Sequence, residues 1–168
     1  MGLLKNLFGE KPPEVKSVES LYAKPHKKLS RGCTQEDVKR ILKDAQLMYE
    51  LCFAPVGNYK SAYAIAHPQI TDKDPLAFYV TKERHIIINP RIVRITEHKR
   101  PMPEGCMSFP TRPAELKLRS YKCEVEYQTI DGDGKLTEPH TFPVKGIQAQ
   151  IVQHEIDHLN GKTIYDEN

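Results

Sequence analysis

Several things are missing from this chain, and each absence narrows what it can be. No apolar run approaches the ~20 residues that a membrane span needs, and no secretory hydrophobic region stands near the start. Met1-Gly2-Leu3-Leu4-Lys5-Asn6 opens like an acylation site, but Asn6 stands where Ser or Thr is required. The four cysteines, Cys33, Cys52, Cys106 and Cys123, are scattered without a C-x-x-C pair. That spacing fits free thiols in a reducing, cytosolic setting better than a disulfide framework. An excess of one charge is missing too: the net charge is only +3, too little to argue for nucleic acid or a membrane surface. Internal repeats and low-complexity tracts are absent. What remains, at 168 residues with 39% hydrophobic and 28% charged, is an ordinary globular composition. Such a chain is long enough to bury a core as one domain. Residues 1–18 read as a loosely ordered extension, with Leu3, Leu4, Leu7 and Phe8 able to form one apolar face, and residues 19–168 as the single domain.

Thr34-Gln35-Glu36-Asp37 opens the first helix, with Thr34 as N-cap and acids in its first turn. Val38, Ile41, Leu42, Ala45, Met48 and Cys52 recur at helical spacing, and Pro55 and Gly57 end it. Residues 61–70 are an apolar segment in which Pro68 biases His67 toward an extended backbone. Residues 76–80 and 85–88 read as two strands around a turn at Lys82-Glu83. Asn89-Pro90 is expected to break the second, which resumes at Ile92. Residues 119–130 alternate as one half-buried strand, and Asp131-Gly132-Asp133-Gly134 follows as a hairpin turn. With one helix early, one late and strands between, the fold class is α+β.

The late helix carries the chemistry. Gly146 to Gly161 encloses His154-Glu155-Ile156-Asp157-His158. Histidines at i and i+4 lie about 40° apart around a helix and ~6 Å along it, so both imidazoles reach one ion. Glu155, about 100° round from His154, can touch a metal-activated water without binding the metal. This suits metal-assisted hydrolysis. A catalytic metal usually takes three protein ligands and keeps an open position. Ile164 stands where a longer protease signature would place a third histidine, and Asp166 and Glu167 lie near a free end. The third ligand is therefore sought upstream, among cysteines, histidines and acids. Cys106 stands out in Pro103-Glu104-Gly105-Cys106-Met107-Ser108-Phe109-Pro110, where a glycine permits close backbone approach and prolines brace the loop.

These residues resemble the peptide deformylase family. Glu104-Gly105-Cys106-Met107-Ser108 is similar to the family's Glu-Gly-Cys-Leu-Ser, and Gln153-His154-Glu155-Ile156-Asp157-His158-Leu159 to its Gln-His-Glu-x-Asp-His-Leu. Ala62-Tyr63-Ala64-Ile65-Ala66-His67-Pro68-Gln69 resembles Gly-x-Gly-Leu-Ala-Ala-Pro-Gln, and Ile88-Asn89-Pro90 the strand between. The likeness runs from about Leu21 to Tyr165.

The resemblance implies a fold of mainly antiparallel sheets around a central metal-binding helix. It implies that Cys106, His154 and His158 bind one divalent metal ion, ferrous iron in cells, with zinc, nickel or cobalt able to substitute. Glu155 becomes the general acid/base, and Gln69 with the N–H of Met107 the donors to the oxyanion. Tyr63, Ala64, Ile65 and Gly105 bind the substrate, Ile65 lying in the strand that pairs with the peptide backbone. Ile147, Gln150 and Ile151 line the methionine pocket, and Arg119 supports Glu104 behind the site. The activity implied is hydrolysis of the formyl group from nascent peptides beginning with formylmethionine. The implied setting is the bacterial cytosol or a phage-encoded form, as a monomer near the ribosome, with no membrane or specific nucleic-acid partner. The sequence stops just past Tyr165, without the C-terminal helix that docks many bacterial members on the ribosome.

The chain departs from the family pattern at Ala62 and Ala64, at His67, at polar Gln150, and in a loop, Asn58-Tyr59-Lys60-Ser61, before the first motif. Two other readings stand beside the deformylase. One is an HExxH hydrolase acting on peptide bonds, which the missing downstream ligand opposes. The other is a formyl-peptide-binding member without strong catalysis, which intact Gln69, Cys106 and Glu155 oppose. The remaining histidines, His26, His67, His85, His98 and His140, read as packed or surface residues.

Overall fold

In a computed structural model, residues 29–166 are described. The extension at 1–18, its apolar face, and His26 lie outside them. The early helix begins with a 3-10 turn, Gln35–Asp37, and continues as α1, Val38–Phe53. Thr34 caps the turn, but the bond runs backward: the Asp37 carboxylate accepts from the Thr34 N–H at 2.8 Å. Val38, Ile41, Ala45, Met48 and Cys52 form the buried stripe. Burying each large member contributes roughly 1.5–3 kcal/mol.

Seven strands follow. β1 (Ala64–Ala66), β2 (Phe78–Thr81), β3 (Ile86–Ile95), β6 (Lys122–Gln128) and β7 (His140–Lys145) form an antiparallel sheet in the order β1-β2-β3-β6-β7. β4 (Lys99–Glu104) and β5 (Glu115–Ser120) form a separate hairpin ribbon. α2, Ile147–Leu159, closes the fold. No helix among the described residues is long and apolar enough to cross a membrane.

Strand alternation divides the interior into two cores. Ile65, Phe78, Val80 and Ile88 face α1, while Ala64, Ala66, Tyr79 and Ile87 face α2. The small side chains of Ala64 and Ala66 let α2 approach, and fully buried Ala149 answers them from the helix. Among the described residues β1 is an edge strand, paired only with β2. The Lys82 N–H donates to the Tyr63 carbonyl, so in this register the backbone groups of Tyr63 and Ile65 turn toward β2. Those of Ala64 turn toward the free edge.

Four local expectations are corrected. His67 is not extended; it starts a 3-10 turn, His67–Gln69. Its ring, fully buried on Phe78, accepts the Leu76 N–H at Nδ1 and meets Asp44 through Nε2 at 3.0 Å. Asn89-Pro90 does not break the strand. β3 runs through it with a bulge, Asn89 taking φ +51° while its side chain holds Cys33 and Gln128. Residues 119–130 are not one strand: at Tyr121 the chain leaves the β4–β5 ribbon and enters the main sheet. The fourth concerns β4 and β7, which have no counterpart in the sequence reading. Prolines 101, 103 and 143 mask them, tolerated because a two-stranded ribbon and an edge strand leave one side unpaired. The turn at 131–134 does form, with the Gly134 N–H donating to the Asp131 carbonyl at 3.1 Å.

Candidate active site

α2 starts at Gly146, whose φ of +59° suits glycine, and ends at Gly161 with φ +71°. Gln153 ties it to the β5–β6 junction: Ser120 N–H donates to its Oε1, and its Nε2 donates to the Ser120 carbonyl at 2.9 Å. The helix then presents His154 and His158 one turn apart, with their Nε2 atoms 3.1 Å from each other. The loop leaving β4 brings Cys106 Sγ to 3.3 Å from His158 Nε2. Donor atoms of Cys106, His154 and His158 all lie within 4.8 Å of one another.

These spacings fit a metal. Tetrahedral bonds of ~2.05 Å to nitrogen and ~2.3 Å to sulfur place ligand atoms about 3.4 to 3.6 Å apart. The donor set is also right: two imidazoles and a thiolate suit zinc-like and iron-like divalent ions. Burial opposes charge on Cys106, yet the imidazoles of His158 and His154 outweigh it and hold the thiol well below its ordinary range. Burial likewise opposes a charged His154, but Cys106 and Glu104 outweigh it and raise His154 to about 10. Protons thus compete for the place a cation would take.

Behind His154 stands a buried ionic network. Arg119 donates to both oxygens of Glu104, at 2.7 and 2.8 Å, and to Asp157 at 2.6 Å. Glu104 Oε2 lies 3.0 Å from His154 Nδ1. Burial would raise the Glu104 carboxyl, but Arg119 and His154 outweigh it and bring it down to about 2. As a firm acceptor, Glu104 holds the proton on Nδ1, so Nε2 is the nitrogen left to face a cation once its own proton is displaced.

A cavity of about 230 Å³ opens beside the donors. Its walls include Tyr63 and Ala64, Glu104 to Met107, Ile147, Gln150 and Ile151, with Gln69, His154 and Glu155 at the inner end. Gln69 is oriented at both ends of its amide. Its Oε1 accepts the Ala66 N–H at 2.8 Å, and its Nε2 donates to Ser108 Oγ at 3.1 Å and faces Cys106 Sγ at 3.9 Å. Glu155 is buried, and its Oε2 has no hydrogen-bond partner among the described residues. Burial pushes its carboxyl above the ordinary range.

A family model for polypeptide deformylase matches residues 19–168. The chain belongs to the polypeptide deformylase family. The peptide deformylase of Rhizobium meliloti is 35% identical over 135 residues, covering 77% of this chain and 70% of that protein. That of Brucella suis is 40% identical over 85 residues, but these cover 51% of this chain and only 45% of the Brucella protein. The deformylase of the Vibrio parahaemolyticus bacteriophage VP16T, solved in complex with actinonin, superposes with a TM-score of 0.64. It is 29% identical and covers 92% of this chain and all of its own. The α+β architecture is that of the deformylase fold.

Against that family pattern, most of the residues singled out from sequence converge on one cleft. Arg119 and His158 sit behind it, and Ile65 does not line it. Ile65 is fully buried in the α1 core and its backbone is turned to β2, so the edge facing the cleft belongs to Ala64. Gln150 does not leave an unpaired polar group: its Nε2 donates to the Pro103 carbonyl at 2.8 Å. Sequence reasoning passed over Ser108 and Asp157, although both lie inside quoted motifs. A charge partner for Arg119 three residues on from His154, on the same side of the helix, was the available signal. Tyr59 had none, because its position depends on a loop.

Proposed function

We propose that the chain is a metal-dependent hydrolase that removes the formyl group from nascent peptides beginning with formylmethionine, releasing formate. The observation that carries this is the convergence of three metal-ligand donors and the buried Glu155 carboxylate, whose Oε2 has no partner among the described residues, at a cleft bordered by the edge of β1. A divalent ion held by Cys106, His154 and His158 supplies Lewis-acid polarisation and a water acidic enough to attack at neutral pH. Iron(II) is the ion proposed in cells, with zinc, nickel or cobalt able to replace it.

The protein's own groups do the rest. The peptide adds to the free edge of β1, pairing with the backbone of Ala64 and, across the cleft, of Gly105. Ile147 and Ile151 offer apolar contact to the methionine side chain, with Gln150 at the rim. Gln69 Nε2 and the Met107 N–H donate to the formyl oxygen as it gains charge. Glu155 Oε2 takes the proton from the attacking water and returns it to the departing amine, a task that suits a carboxyl raised by burial. Glu104, Arg119 and Asp157 hold His154 in register without touching substrate.

Residues 19–168 act as a single catalytic domain, monomeric and cytoplasmic, preceded by the extension at 1–18; the source is a bacterium or a phage. Nascent peptides as substrate imply work near the ribosome. The test is formate release from formyl-Met peptides by anaerobically purified, metal-analysed protein, set against the unformylated peptide. Formate from the first and nothing from the second is expected. Cleavage of the unformylated peptide would favour a metallopeptidase, and binding without turnover a peptide-binding member. Actinonin, which occupies the phage relative, is expected to block turnover here.

A further inference from the structure

The cleft has a peptide end as well as a metal end, and the loop that carries Tyr59 and Ser61 borders it. Resting on the reading above, a substrate with its formyl group at Gln69 and Cys106 runs back along β1, from Ala66 toward Ala62. In an extended peptide, successive side chains point to opposite faces. The methionine points to the α2 side, toward Ile147 and Ile151. The second side chain therefore points to the α1 side.

That side holds Tyr59. The loop leaving α1 folds back on itself, with Val56 and Tyr59 exchanging backbone hydrogen bonds at 2.9 Å. Gly57 takes φ +53° against Pro110, and the Asn58 N–H donates to the Pro110 carbonyl at 2.9 Å. At the far end of the side chain, Tyr59 Oη donates to the Arg112 carbonyl at 3.0 Å. Bound at both ends, the half-buried ring is a fixed wall. It lies on the backbone of Gly105: a Cβ placed there would come within 2.7 Å of the tyrosine oxygen and collide with the ring. Tyr59, Ser61 and Ala62 line the same cavity as Gln69 and Cys106.

We propose that Tyr59 is a specificity-determining residue, its ring occupying the space a bulky second side chain would need and selecting formylmethionyl peptides whose second residue is small. The test compares kcat/KM for formyl-Met-Ala and formyl-Met-Phe peptides. Tyr59→Ala is expected to raise the Phe-to-Ala ratio about tenfold, the scale of a pocket volume change. Tyr59→Phe keeps the ring and is expected to keep the wild-type ratio. Should Tyr59→Ala fail to fold, Tyr59→Leu, which is shorter but still apolar, carries the same test with a smaller shift. Formate from formyl-Met-Ala by the wild type tests the deformylase reading separately. If no peptide is turned over, calorimetric binding of both peptides to metal-loaded protein reads the same ratio. An unchanged ratio on removing the ring, or an equal change in Tyr59→Phe, overturns the proposal.

Discussion

The inner end of the cleft and its outer end are built by different means. At the inner end, His154, Gln69 and Glu104 each hold at least two polar partners, from α2, β1, β4, β5 and the Cys106 loop. At the outer end, the walls are a short strand edge, two alanine methyls and one tyrosine held by loop carbonyls. Ligand geometry tolerates errors of tenths of an ångström, so it is fixed redundantly. Peptide docking uses backbone that any sequence supplies, so the side chains around it are free to vary. Ala62, Ala64 and Tyr59 all line that outer end.

The comparison breaks if inner-end substitutions prove mild. Cys106→Ala should have the largest effect, taking bound metal from near one per chain to near none and turnover with it. Metal analysis and formate release on the same sample check this. Glu155→Gln should retain the metal and lose turnover by about 10²–10⁴-fold, the range for a general acid/base. Full activity in that variant would end the proton-transfer role.

Arg119→Met probes the redundancy itself. It leaves Glu104 buried against His154 and Asp157 without its cation, and should cost about 3–5 kcal/mol, read as a lower urea midpoint at pH 7. Acid sensitivity should change as well. The folded Glu104 carboxyl, at about 2, sits below its ordinary value of 4.5. Its contribution is thus present above about pH 4.5 and is lost as pH falls toward 2. At most about 3 kcal/mol is at stake. Arg119→Met should flatten that acid limb, and an unchanged difference between pH 6 and pH 3 would count against the network.

Legibility from sequence follows the same division. The helix, its two histidines and Glu155 are local, at i, i+1 and i+4, so periodicity alone aligns them. Cys106 and Gln69 needed a family resemblance, because they lie 52 and 89 residues from His158 and no spacing rule joins them. The strands that escaped notice, β4 and β7, carry prolines and charged residues because each has an unpaired side, where propensity is a poor guide. The single strand read across residues 119–130 failed for a tertiary reason. Alternation continues through Tyr121, but the chain changes sheets there, and the pattern of side chains contains no sign of it. That Ile65 turns its own backbone inward is hidden for a similar reason: which backbone groups of β1 face outward depends on its register with β2, a long-range fact.

The smallest effect should come from Ala64→Gly, at the outer end. Its backbone already faces the free edge and its methyl lies on the α2 core, so the glycine removes only a buried methyl and some backbone rigidity. The loss should be about 1–2 kcal/mol in the urea midpoint, combining one methyl and the entropy of a glycine in a strand. Donors at the metal end stay where α2 and the Cys106 loop hold them, so metal content should be unchanged and kcat should move by less than about threefold, under 0.7 kcal/mol. If instead metal content fell, the two ends would be one mechanical unit, and the contrast between a redundantly held site and a permissive peptide wall would fail.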